Sequence, residues 1–216
     1  MKTKQERSEI FKLFQANIKR KSTFDIGKQN LLILRAELSA VYDYIFTTCS
    51  NDDFSKMPLA KDKTIAYYLY HLIRIEDITS NTLIAGKQQI FFAEGFDKLL
   101  NSPIITTGNE IQRDDLVDFS KVLNIAELRN YANTVLENTN AIIQNMSYEN
   151  SKIKVSAERK AELLNTMTVS NDENAFWLVE YWCKKNYAGL FLMPFSRHHM
   201  LHLNGCLRIM DKIMAK

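Results

Sequence analysis

The sequence predicts an all-α protein, and three observations point to that class. Its 216 residues include only six Gly and three Pro, so few residues interrupt helices. Apolar residues recur about every 3.6 positions over several long stretches, and no stretch of convincing length alternates as a half-buried strand does. With 46% hydrophobic and 25% charged residues, the composition is that of a globular chain. Several long amphipathic helices in one short chain pack most economically as a helix bundle.

The first elements are two amphipathic helices. Residues 5–20 carry apolar residues at helical spacing, which are Ile10, Leu13, Phe14 and Ile18. We expect residues 1–24 to form an N-terminal helical appendage and residues 25–216 to form one helical domain. The first long helix of that domain is predicted at 28–48. The apolar stripe of the appendage has to be covered, either by its own domain or by a second copy in a homodimer.

Breakers and capping residues set the predicted bounds of the later elements. Gly86 should stop the second long helix, and Asn124 should cap the third. Pro194 should break the run before the last helix, and Ser196 should cap that helix. The stretch 150–190 is then an insertion before the last bundle helix. The predicted helices after the polar loop at 51–58 lie at 64–85, 91–100, 124–146, 157–167, from 172 to before Gly189, and 197–214.

Charge and cysteine content exclude several classes of function. Residues 1–21 carry seven Lys or Arg against two Glu, whereas the rest of the chain is slightly acidic. Only that segment could offer clustered positive charge, so we expect no nucleic-acid partner. No apolar run approaches the roughly 20 residues of a membrane span, and the first residues lack the apolar core of a signal peptide. The three cysteines are odd in number and include no C-x-x-C, so we expect a soluble cytoplasmic protein.

The four histidines are the most informative residues of the sequence. His198, His199 and His202 fall within five residues. On a helix, His198 and His202 lie about 40° apart around the axis and about 6 Å apart along it, so both imidazoles can reach one metal ion. His71, in the middle of the second long helix, is the only other histidine available as a third ligand. Three histidines with an open position are the arrangement of catalytic zinc, and imidazole also suits nickel, copper and iron.

Two nearby residues are left out of this ligand set, and a plainer interpretation stays open. His199 lies about 100° around the helix from His198, so we expect it to pack beside the site. Cys206 lies about 12 Å along the axis from His198, too far to share one ion. The plainer interpretation makes HHMLH a solvated helix face and His71 a hydrogen-bonded core residue.

Two metalloprotein classes are disfavoured by what the motif lacks. In the metalloprotease motif H-E-x-x-H a Glu follows the first His, whereas here His199 takes that place. Ferritin-like di-iron proteins need Glu-x-x-His pairs, and no acidic residue stands three positions before any histidine of this chain.

Two segments of the chain resemble the metal-ligand helices of the DinB-like superfamily of metalloenzymes. They are TIAYYLYHLIRIEDITSNTLIAG (64–86) and LMPFSRHHMLHLNGCLRI (192–209). The resemblance implies a four-helix bundle that binds one divalent ion, nickel or zinc, through His71, His198 and His202. It does not extend to the N-terminal helix or to the stretch from about 150 to 190, which make the chain longer than the compact form of the family.

The resemblance implies two hypotheses of function. In the first, the chain is a metal-dependent enzyme, because some relatives are thiol-dependent transferases or isomerases that use bacillithiol, mycothiol or glutathione. A low-molecular-weight thiol would then be a cofactor, and the substrate would be a small electrophilic molecule. In the second, the chain is a non-catalytic metal-binding or stress-response protein. A solvent path with an open coordination position favours the first, and a fourth protein ligand favours the second.

Residues around the histidines receive expected places from their helical positions. Arg74 and Asp77 could flank the site, whereas Glu76 should face away from it and pair with a neighbouring helix. Tyr67, one turn before His71, is predicted at the pocket wall. Most other aromatic residues nearby are expected in the core or an interface, including Trp177, Tyr181 and Trp182. An apolar mouth is predicted from four residues near the paired histidines: Met193, Phe195, Met200 and Leu201.

Overall fold

The computed structural model describes residues 1–59 and 63–215 and confirms an all-α chain. It is about 75% helical, and the described residues contain no β-strand, only an isolated bridge between Lys154 and Asn186. Among them, no helix is both long and apolar enough to cross a bilayer. The α-helices are α1 (Lys4–Asn17), α2 (Phe24–Thr48), α3 (Ile65–Asp77), α4 (Ile90–Ala93), α5 (Phe96–Leu99), α6 (Leu116–Val122), α7 (Ile125–Asn145), α8 (Tyr148–Ser151), α9 (Ala157–Asn165), α10 (Glu173–Cys183), α11 (Tyr187–Leu192) and α12 (His198–Met214).

Two π-helical segments extend the helices that carry the histidines. Ile78–Ala85 continues α3, and Met193–Arg197 joins α11 to α12 without a break. Three short 3₁₀ helices lie outside these runs, at Lys21–Thr23, Asn51–Ser55 and Arg113–Asp115. Isolated π-turns are uncommon in proteins and frequently lie at functional sites.

The longest helices contact one another in a closed cycle. Helix α3 packs against α7 and α12, and α2 packs against the same two helices. Their apolar faces meet in one main core that includes Leu38, Leu72, Val135 and Leu203. The cycle makes α3 and α12 neighbours, although their histidines are separated by 127 residues of chain.

Helix α1 packs along α2 and shares the main core. Phe14 and Ile18 are fully buried, as the predicted stripe requires, but Leu13 is 54% exposed and Phe11 is buried in its place. The predicted stripe is therefore wrong at Leu13, because the buried face of α1 includes Phe11 in its place. At Gly27 on α2 a Cβ would lie 2.7 Å from the backbone nitrogen of Ile18, so only glycine allows this close approach.

A second, smaller core lies under the stretch 150–190. Its buried members come from α3 and its extension, from α9, α10 and α11, and from the chain on either side of α9. They are Ile75, Ile78, Leu83, Val155, Leu163, Val169, Ala175, Leu178, Val179, Trp182 and Leu190. Helices α9 and α10 therefore cover the π-helical extension of α3 rather than lying free in solvent.

Capping residues explain which predicted bounds hold. Asn124 accepts a hydrogen bond from the backbone N–H of Glu127, and Gly86 ends the α3 extension at φ 63°, both as predicted. The predicted helix at 91–100 is instead two single turns, α4 and α5, because Gly95 between them adopts φ 75°.

The prediction that Pro194 breaks the chain and Ser196 caps the last helix is wrong. A proline lacks the N–H that an α-helix needs, but here the backbone widens into a π-turn, in which the N–H of His198 reaches the carbonyl of Met193. The Ser196 hydroxyl donates to the carbonyl of Phe191, 2.7 Å away. The chain thus passes Pro194 as one helical run.

Candidate metal centre

Three histidines from two helices converge at one point. His71 lies in the middle of α3, while His198 and His202 lie one turn apart on α12. The Nε2 atom of His198 lies 3.2 Å from that of His71 and 3.0 Å from that of His202. One ligand nitrogen from each residue lies within 4.8 Å of the other two, and these three residues are the group that could hold a metal ion within the described parts of the chain.

These separations fit a shared cation better than direct hydrogen bonds. Two nitrogens bound tetrahedrally to zinc at about 2.0 to 2.1 Å lie about 3.3 Å apart, close to both measured distances. The Nδ1–H of His71 donates to the carbonyl of Thr107 at 2.9 Å, which leaves the Nε2 of His71 with a lone pair. One N–H on His198 cannot point along both contacts at once. A cation at the centre would satisfy all three nitrogens.

Burial keeps the three imidazoles neutral, which is the state that binds metals. Burial lowers the pKa of His71 to about 4, although the Thr107 carbonyl opposes this shift. Burial, together with the neighbouring His71, lowers the pKa of His202 to about 3 and that of His198 well below its usual value. At neutral pH the site therefore presents three uncharged donors.

A cavity of about 400 Å³ opens beside the three histidines. Tyr67 lies at its wall as predicted, with its ring stacked on His71 at a centroid distance of 5.6 Å. Trp177 and Leu201 line it while more than half exposed, so the cavity reaches the surface. The complete lining is Lys63, Tyr67, His71, Ile75, Asn109, Trp177, Leu178, Tyr181, Trp182, Met193, Pro194, His198, Leu201 and His202.

The composition of this wall differs from the predicted one in three respects. Met193 and Leu201 line the cavity as expected, but Phe195 is fully buried in the main core and Met200 is not among the lining residues. Of the aromatic residues expected in the core or an interface, Trp182 is buried in the smaller core and Tyr181 packs against it, and both also line the cavity. Trp177 lines the cavity with an exposed side chain. Lys63 and Asn109 were missed, because both lie on irregular chain where no periodicity indicates direction.

His199 packs beside the site, as predicted, and does not join it. Its Nδ1 lies 3.1 Å from the Tyr42 hydroxyl, and its Nε2 lies 2.7 Å from a carboxylate oxygen of Glu76. Glu76 faces away from the metal ligands, also as predicted, and pairs with Arg35 on α2. Cys206 is fully buried in the main core.

The expectation that Arg74 and Asp77 could flank the site is wrong. Both are fully buried in a separate polar cluster, in which Arg74 donates to Tyr131 and to Gln89. Asp77 accepts the backbone N–H groups of Ile90 and Phe91 at 3.0 and 2.9 Å. The Asp77 carboxylate thus ties the start of α4 to α3, and neither residue lines the cavity.

Comparison with models of known protein families and with curated proteins finds no match for this chain. The DinB-like resemblance therefore stays a prediction that rests on the two histidine-bearing helices. The all-helical fold and three converging histidines that could hold a metal ion are what the structure establishes.

Proposed function

We propose that this chain is a metal-dependent enzyme of the DinB-like type, built on a four-helix bundle of α2, α3, α7 and α12. Helix α1 and the stretch 150–190 are additions to that bundle. His71, His198 and His202 would hold one divalent ion, nickel or zinc. The observation that carries the proposal is the convergence of three neutral Nε2 donors at the wall of a cavity that reaches the surface, where His71 and His198 are buried and His202 is partly buried.

The donor set supports catalysis over a closed structural site. In the described residues no fourth His, Cys, Asp or Glu joins the group, which leaves a coordination position facing the cavity. A divalent ion held by three imidazoles supplies a Lewis acid that lowers the pKa of a bound water or thiol. Thr107 keeps His71 in the tautomer that offers its Nε2 lone pair.

The cavity supports a small-molecule substrate. About 400 Å³ lies within the usual range of ligand pockets, and the wall is mostly aromatic and aliphatic with few polar groups. Burial raises the pKa of Tyr67, so its hydroxyl stays protonated and can donate a hydrogen bond. We propose transfer or isomerisation of a small electrophilic molecule that depends on a low-molecular-weight thiol, because an apolar wall suits a soft thiolate better than a charged polymer.

The test begins with the metal content of the purified chain, measured after dialysis against zinc or nickel. One equivalent per chain is expected. The chain loaded with Co²⁺ should then gain a sulfur-to-metal absorption band on addition of a millimolar thiol, and consumption of that thiol with an electrophilic aromatic substrate should stop when a chelator is added. If the metal binds but the thiol changes neither spectrum nor turnover, the non-catalytic metal-binding alternative is the better account.

A further inference from the structure

The formal charge at the described wall of the cavity is positive. Lys63 is the one formally charged side chain among its lining residues, and no Asp or Glu lines it in the described parts of the chain. The three histidines are neutral, so a divalent ion would add two positive charges that no carboxylate among the described lining residues offsets.

The Lys63 ammonium is desolvated without a carboxylate partner among the described residues. Its Nζ donates to the Tyr67 hydroxyl at 2.9 Å and lies 4.2 Å from the centroid of the same ring. Burial lowers the pKa of Lys63, and nearby Arg113 lowers it further. Six other lysines instead pair with a carboxylate, and they are Lys21, Lys28, Lys56, Lys121, Lys160 and Lys184.

Among the described acidic residues, Glu110 is close enough to act on Tyr67 electrostatically but is absent from the cavity wall. One oxygen of its carboxylate accepts the Thr106 hydroxyl, and the other is buried without a hydrogen-bond partner. Asp62 precedes Lys63 in the sequence and lies outside the described residues. Lys63 is partly buried, and removing a charge from water is costly unless the charge is paired. A site with this balance therefore favours a ligand that carries a negative charge.

The rest of the wall defines the body of that ligand. Trp177, Leu178 and Tyr181 on α10 and Leu201 on α12 present apolar surface beside the histidines. A molecule that filled this space would bury an aliphatic or aromatic group, and Asn109, which also lines the cavity, adds an amide for a polar head.

We infer that the ligand of this cavity is a small carboxylate with an apolar body, whose carboxylate is bound by Lys63 beside the metal centre and whose body packs on the aromatic wall of α10. This inference rests on the proposed function for the metal, but the ammonium, the lack of a counter-charge among the described lining residues and the apolar wall do not depend on a metal. Lys63 is then a specificity-determining residue that selects an anion over a neutral molecule of the same shape.

The test compares hexanoate with hexanamide, which has nearly the same shape but no charge. Trp177 and Trp182 line the cavity, so tryptophan fluorescence reports binding with or without a metal. For the full chain loaded with Zn²⁺, hexanoate should bind at least about tenfold more tightly than hexanamide, since hydrogen bonds between charged groups are stronger than those between a charged and a neutral group. Lys63→Met should remove most of that preference, and Lys63→Arg should restore part of it.

A matched control removes a positive charge close to the cavity but outside its wall. The Lys185 ammonium lies 3.9 Å from the centroid of the Tyr181 ring and is absent from the lining, so Lys185→Met should keep the preference for hexanoate. Metal content is measured for each variant. Loss of Zn²⁺ from the wild type would overturn the proposed function, while the metal-free chain would still test Lys63. Equal affinities for the two probes in the wild type, or an unchanged preference in Lys63→Met, would overturn the inference.

Discussion

The Nε2 atom of His199 lies 2.7 Å from the Oε2 atom of Glu76, on a face of α12 about 100° around the helix from the ligand His198. The same carboxylate receives two hydrogen bonds from Arg35, at 3.1 and 2.6 Å. All three side chains are buried. These polar contacts link α2, α3 and α12 next to the metal centre. They therefore oppose sliding of α12 along α3, which would separate His198 from His71.

Removing the charge of Glu76 should destabilise the chain strongly. Burial alone would raise the pKa of Glu76, but Arg35 and His199 hold it at about 2, so the carboxylate is ionised at neutral pH. Glu76→Gln would leave the buried Arg35 without its counter-ion, and we expect the free energy of unfolding to fall by about 3 to 5 kcal/mol. Urea unfolding at pH 7 measures it. Glu180→Gln is the control, because the pair of Glu180 with Lys160 is solvent-exposed and should contribute less than about 1 kcal/mol. Equal losses in the two variants would contradict the role of burial.

Substitution of individual histidines should separate the ligands from their neighbour. His71→Ala, His198→Ala and His202→Ala should each lower bound zinc sharply, since each removes one of three donors. His199→Ala should retain most of the zinc, because its imidazole contacts Tyr42 and Glu76 instead. Zinc per chain is measured after dialysis, and circular dichroism confirms that each variant is folded. Wild-type zinc in His71→Ala would refute the three-ligand site.

The metal-free chain should lose stability in mild acid. The pKa of His71 is about 4 when folded, compared with about 6.5 in an unfolded chain, so the unfolded state binds more protons between these values. The stability that neutral His71 permits is therefore fully present above about pH 6.5 and is lost as the pH falls towards 4. The free energy of unfolding should fall by about 1.4 kcal/mol per pH unit for this residue.

Unfolding in urea with a chelator at pH 7, 6 and 5 measures this dependence. His71→Gln removes the titrating group and should give a shallower slope than the wild type. The same slope in both proteins would show that other groups account for the acid sensitivity.

Truncation at two adjacent positions on α1 should lower the free energy of unfolding by very different amounts. Phe14 is fully buried against α2, whereas Leu13 is 54% exposed. Phe14→Ala should lower the free energy of unfolding by about 3 to 5 kcal/mol, and Leu13→Ala by less than about 0.5 kcal/mol. Thermal or urea unfolding of the two variants tests whether α1 is part of the cooperative fold. A small effect of Phe14→Ala would mean that α1 is bound loosely.

Much of the helical framework was predictable, because it depends on local features. The apolar period located α2, α3, α7 and α12 to within a few residues, and Asn124 caps α7 as predicted. Thr64, where the second long helix was predicted to begin, caps α3. The histidine grouping followed from a spacing of four residues plus one remaining histidine. These inferences need only helix geometry.

The rest depended on contacts that no local pattern encodes. The widening of the helix at Pro194 requires the chain on both sides to be held by the core, and a sequence shows only the proline. For Trp177 and Tyr181, residue type and helical spacing are the same whether the side chain faces a core or a cavity, so the sequence does not distinguish the two. The helical position of Arg74 allowed it to reach the site, but its guanidinium donates instead to the hydroxyl of Tyr131, 57 residues further along the chain.

The π-turn before α12 also sets a register. An α-helix that widens by one residue contains one residue more than its axial length requires, so Met193–Arg197 acts as an insertion within a helix. Deleting one residue there would turn everything after it by about 100° relative to α11. His199 would then take the direction of His198, and Leu203 that of His202. The binding chemistry of α12 is therefore sensitive to the number of residues in this turn, even though none of them needs to touch the metal.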